Sequence, residues 1–136
     1  MTKQKTKLLL CFFLVIAAAQ ALTTQQSERL EKWSKACREK SGVTVEMVKR
    51  FRASADIDTP EMRWHVFCVL VKAGLMNKKG EFVVEQVKSK LRHVYEDEDK
   101  VAQVAVKCAK KRRTPGETAL LGYQCMHKMA PGFVIL

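Results

Sequence analysis

Prolines and glycines are scarce, three and six in 136 residues. Every proline, and most of the glycines, falls between apolar periodic segments or at their ends. Almost no stretch alternates apolar and polar residues with period two, which argues against half-buried strands. No Cys-x-x-Cys pair occurs, so a zinc centre or a thioredoxin-type site lacks its ligand spacing. Cys125-x-His127 is not a spacing that clamps a metal from one helix face. The single asparagine, Asn77, lies outside any glycosylation sequon. No Ser-His-Asp or Cys-His set stands in helical register, and Glu96 to Asp99 is a charge run rather than a buried carboxylate pair. The expectation is a protein with no enzyme activity, no cofactor and no metal. Linkers, low-complexity segments and internal repeats are also missing.

The N-terminus is different in kind. Lys3, Lys5 and Lys7 precede an apolar run from Leu8 to Ala19, and Ala19-Gln20-Ala21 is a small-x-small cleavage pattern. This predicts a secretory signal peptide over residues 1–21 and a mature chain, 22–136, of one domain. The run is too short for a membrane span. The chain carries 25 Lys and Arg against 14 Asp and Glu, and removing the three leader lysines still leaves a balance of about +8. Such an excess favours acidic partners by long-range attraction.

Cys11 leaves with the leader, and four cysteines remain: Cys37, Cys68, Cys108 and Cys125. An even number in a secreted chain predicts two disulfides out of three possible pairings. The two shortest sequential pairs, Cys37–Cys68 and Cys108–Cys125, are the expected ones.

What is present is helical periodicity. The segment Thr59 to Gly80 organises the rest. Thr59 is a cap, Pro60 suits a first helical position, and Glu61 complements the positive end of the helix dipole. Trp64 and the run Val66 to Val71 then make a helix apolar on nearly every side, which predicts a central helix surrounded by protein. Gly74 is a stop, and Asn77 to Gly80 a turn. A first helix is predicted at about Gln25 to Lys40 with Leu30, Trp33 and Cys37 inward. A second, about Thr44 to Ala53, puts Val45, Val48 and Phe51 inward. A fourth, about Phe82 to Val94, carries Val84, Val87, Leu91 and Val94. A fifth, about Asp97 to Lys111, carries Val101, Val104, Ala105 and Cys108. Thr114-Pro115-Gly116 breaks the chain before a sixth, about Glu117 to Met129, which buries Leu121, Cys125 and Met129 with Leu120 and Tyr123 beside them. The fold class is therefore all-α, six helices with two disulfides. Acidic residues open the fifth helix and Lys110 to Arg113 close it, which suits the dipole at both ends. The same basic run is a candidate polyanion site.

The cysteine frame resembles that of the insect odorant-binding and pheromone-binding proteins, small secreted helical carriers with six cysteines. Cys37 and Cys68 stand 31 residues apart, as do the first and third cysteines of that family. The family's second and fifth cysteines, partners of each other, correspond here to Trp64 and Gly116. The Lys-Ala-Gly-Leu turn and Lys-Gly-Glu-Phe segment after Cys68 are similar too. The pattern is that of a four-cysteine branch. The resemblance implies transport of small hydrophobic ligands (odorants, pheromones or related lipids) in a cavity among the first, third, fourth, fifth and sixth helices. Candidate lining residues are Leu30, Trp33, Phe67, Leu70, Val84, Val87, Leu91, Val101, Val104, Ala105, Leu121, Tyr123, Met126, Met129 and Phe133.

Methionines suit an adaptable site. Losing one bridge should leave the third and sixth helices freer to part. His65, His93 and His127 are candidate pH switches, and Gly132 to Leu136 a candidate lid. The alternative is a secreted basic interaction protein of salivary or venom type, which binds polyanions or sequesters host mediators. Nucleic acid and a membrane span are not expected. The oligomeric state is open, a homodimer included.

Overall fold

A computed structural model describes residues 24–131 and 133. The predicted signal peptide, and Gly132 and Val134 to Leu136 of the predicted lid, lie outside the described residues. Of the described residues, those up to Lys32 fall in one unit and those from Trp33 in a second that holds both disulfides. Six helices are present among the described residues: α1 (24–41), α2 (Val45–Ser54), α3 (Pro60–Lys72), α4 (Val84–Leu91), α5 (Glu98–Cys108) and α6 (Pro115–Met129). The last helix starts earlier than anticipated. It begins on Pro115, because Thr114 accepts a bond from Glu117 N at 3.1 Å and the proline occupies the first turn. The break expected at Thr114 to Gly116 is thus a helix start.

α3 opens as its sequence suggests. Thr59 Oγ1 accepts from Met62 N at 3.1 Å, and Pro60 follows. Its inner face buries Met62, His65, Val66, Cys68, Val69 and Leu70. The prediction of a helix enclosed on all sides needs correcting: Trp64 is 48 % exposed, and Phe67 and Val71 are half-buried. These three, spaced i, i+3 and i+7, make an outer stripe that no helix covers completely.

After α3 the chain turns at Gly74, whose φ is +78°. Leu75 and Met76 dive back into the core, 1 % and 2 % exposed. Met76 then pairs with Phe82 in an isolated antiparallel bridge, and Asn77 Oδ1 accepts from Lys79 N and Glu81 N, both at 3.0 Å. This bridge shortens the fourth helix, which is expected from Phe82 and starts at Val84. Val84 and Val45, both predicted inward, are first residues of their helices and are 40 % and 46 % exposed. Neither has a preceding turn to bring a neighbour over it.

α6 packs against α3 and α5, and α5 against α4. Gly122 permits the closest approach. A methyl there would lie 2.5 Å from the Phe82 ring and 3.0 Å from the Cys108 carbonyl. The two disulfides are those expected. Cys37–Cys68 joins α1 to α3 with Cα atoms 5.8 Å apart, and Cys108–Cys125 joins the end of α5 to α6 at 5.3 Å.

Candidate functional site

The interior that α3, α4, α5 and α6 share is apolar. Of the residues predicted to line a cavity, Leu70, Val87, Leu91, Val101, Val104, Ala105, Tyr123, Met126 and Phe133 are buried. Trp33, Phe67, Leu121 and Met129 are half-buried. Leu30 is half-buried and belongs to the first unit. Val84 stands apart on the surface. The prediction omits Met62, Val66, Val69, Leu75, Met76, Phe82 and Leu120, all of them buried. The signal for Leu75 and Met76 is present, since two adjacent large apolar residues after a helix-stopping glycine are costly to leave in water.

Few polar side chains are buried among the described residues: Ser34, His65 and Thr118. His65 is 1 % exposed, and neither ring nitrogen has a hydrogen-bond partner among the described residues. Burial, helped by the positive charges of Arg38 and Arg52, pulls its pKa down to about 4. The imidazole is therefore neutral at pH 7, with one N–H to give and one lone pair to receive. Tyr123 stacks between Phe51 and His127, with ring centroids 5.3 and 6.0 Å away. The Tyr95 hydroxyl donates to the Met129 carbonyl and fastens the loop before α5 to the end of α6.

A concavity opens outward. It is a groove of about 570 Å³ lined by Asp58, Pro60, Arg63, Trp64, Phe67, Thr114 and Gly116. The Trp64 and Phe67 rings form a tilted pair, 5.9 Å apart and inclined by 38°. Arg63 grips Asp58 with two bonds, Nε to Oδ1 at 2.7 Å and Nη2 to Oδ2 at 3.0 Å. This pairing holds the Asp58 carboxyl below its ordinary pKa. Arg63 Nη1 meets Glu117 at 3.8 Å, beyond hydrogen-bond reach. Among the described residues, Phe67 is the one predicted lining residue on this groove.

The basic run after α5 is split. Lys110, Lys111 and Arg113 are exposed. Arg112 turns inward, where Nη1 donates to the carbonyls of Cys108, Lys110 and Thr118 at 3.3, 3.1 and 3.3 Å. This turn ends α5 at Cys108 rather than at the anticipated Lys111, and it removes one cation from the candidate polyanion site. No group of three or more metal-ligating side chains occurs among the described residues, and no described helix is long and apolar enough to cross a membrane.

Comparison with known proteins places this geometry. The sequence pattern of the PBP/GOBP family matches residues 19–129. The B1 protein of Tenebrio molitor is 28 % identical over 120 residues, which are 88 % of this chain and 92 % of that protein. Odorant-binding protein 10 of Aedes aegypti is 33 % identical over 120 residues, 87 % of this chain and 84 % of the relative. Among solved structures, the THP12 carrier protein from yellow meal worm superposes with a TM-score of 0.56 at 34 % identity. That match covers 69 % of this chain and 87 % of the other.

Proposed function

The chain belongs to the PBP/GOBP family, and from that premise we propose that it is a secreted carrier of small hydrophobic molecules. Odorants, pheromones and related lipids are the ligand class, and the four cysteines Cys37, Cys68, Cys108 and Cys125, paired in two disulfides, support a four-cysteine branch. The names of two relatives, a carrier protein and an odorant-binding protein, support the reading. The observation that carries it is the apolar interior of α3 to α6. Ligand sites are mostly apolar, with a few polar groups that fix orientation. Leu70, Val87, Leu91, Val101, Val104, Ala105, Tyr123 and Met126 supply the walls. His65 supplies a donor and an acceptor for a ligand hydroxyl or carbonyl.

Displacement of a fluorescent apolar probe by a panel of volatiles, fatty acids and heparin tests the proposal. A carrier gives up the probe to neutral volatiles, and its affinity hardly changes between low and high salt, because no charge pairing is involved. Failure to take up any apolar probe overturns the carrier reading. Heparin binding that weakens steeply with salt, with no apolar binding, selects the basic interaction protein instead. Lys110, Lys111 and Arg113 would then be its contact residues.

A further inference from the structure

We propose that the groove between the N-terminal turns of α3 and α6 is a second ligand site, separate from the interior, for a small, flat, uncharged aromatic molecule bearing an acceptor oxygen. The groove holds about 570 Å³, inside the ~300–1,000 Å³ range of small-molecule sites. Its floor is aromatic and solvent-facing, with Trp64 48 % exposed and tilted against Phe67 at 5.9 Å. A large exposed indole beside a second ring is an unfavourable surface to leave wet, and a flat ring laid on the pair would cover it.

The charges select the ligand. Arg63 and Asp58 already neutralise each other through two hydrogen bonds, and Glu117 adds a negative charge 3.8 Å from Arg63 Nη1. A carboxylate ligand would meet that repulsion, so the aromatic guest is uncharged. Arg63 Nη1 makes no hydrogen bond with the described residues and lies at the groove, so it can donate to a carbonyl, ester or phenol oxygen.

Two sequence features meet at this place. Trp64 and Gly116, the positions that the family resemblance sets against its second and fifth cysteines, both line the groove. An indole on one wall and a residue without a side chain on the other leave room where a bridge would close the gap. A methyl on Gly116 would already sit 3.1 Å from Arg63 Cβ.

The test uses 2-naphthol with the full mature chain, read by calorimetry and by the indole N–H resonance of Trp64, assigned with Trp64→Phe. The expected result is that naphthol shifts that resonance. Trp64→Ala should weaken naphthol binding about tenfold or more, while Trp64→Phe should retain most of it. Trp64 is half exposed, so the alanine variant is expected to fold. Its circular dichroism and its uptake of a long-chain apolar probe serve as controls. Naphthol should also still bind when a long-chain ligand saturates the interior. The proposal is overturned if Trp64→Ala binds naphthol within twofold of the parent, or if the long-chain ligand displaces naphthol completely. The carrier reading fails by a different result, absence of long-chain binding, which leaves the naphthol measurement interpretable.

Discussion

His65 carries the largest titration effect of any described side chain. Its folded pKa of about 4 lies below the ordinary 6.5, so the unfolded chain takes up the proton first. The resulting stability is complete above pH 6.5 and is lost as pH falls from 6.5 towards 4. The linked free energy is on the order of 3 kcal/mol. Arg38 and Arg52 are the charged groups that act on it. The carboxylates of Asp58 and Glu98, hydrogen-bonded to Arg63 and Arg92, are held below their ordinary values. We expect the urea midpoint of the parent to drop between pH 7 and pH 4.5, and that of His65→Phe to drop much less. Parallel profiles would show that His65 is not the sensor.

Glycines at two turns separate strain from crowding. Gly42, at φ +79°, has open space where a side-chain methyl would stand, whereas at Gly80, φ +88°, the methyl would strike Pro115 at 2.6 Å. Gly42→Ala should cost about 1 kcal/mol from backbone strain alone, and Gly80→Ala about 2–4 kcal/mol from strain plus overpacking. Equal losses in denaturant titrations would contradict this distinction.

At the scale of elements, helix starts are readable in the sequence and covered faces less so. Thr44, Thr59 and Thr114 each accept a backbone N–H three residues on, a local signal that needs no tertiary knowledge. Where α5 ends is a tertiary matter. Arg112 reaches from beyond the helix to carbonyls of Cys108 and Thr118, and nothing in a run of four basic residues marks which one turns in. Burial lowers the Arg112 pKa, the sign of a desolvated cation. Arg112→Ala should destabilise by about 1–3 kcal/mol by leaving those carbonyls unpaired. Lys110→Ala and Lys111→Ala should be near neutral, and thermal melts of the three variants compare them directly. The outer stripe of α3 escapes a sequence reading for the same kind of reason. Periodicity shows that a helix is apolar all round, but which side stays uncovered depends on where α6 lands.

For the whole molecule, the cysteine spacing makes the architecture legible. Four cysteines on four helices leave three pairings, and the two observed are the sequentially shortest. By the chain-entropy estimate each contributes about 3–4 kcal/mol, a large part of a total near 5–15 kcal/mol. Replacing Cys37 and Cys68 together by serine should therefore lower the unfolding free energy by up to about 4 kcal/mol. A change under about 1 kcal/mol in chemical denaturation would mean that packing of α3 against α6 alone sets the centre. The apolar interior is largely legible because helical spacing determines which residues share a face. The groove is not, because it arises from two segments far apart in sequence.

The two cystines are arranged in series along the chain and do not interlock. Tension applied at the ends therefore bypasses the loops closed by the two bonds, whose cysteines stand 31 and 17 positions apart. It acts on the segments outside the closed rings, of which the stretch between them contains all of α4. Pulled as a single molecule, the oxidised protein should yield there first. It should stop roughly 150 Å short of the reduced chain's full extension, a mechanical signature of where sulfur shields the backbone from load.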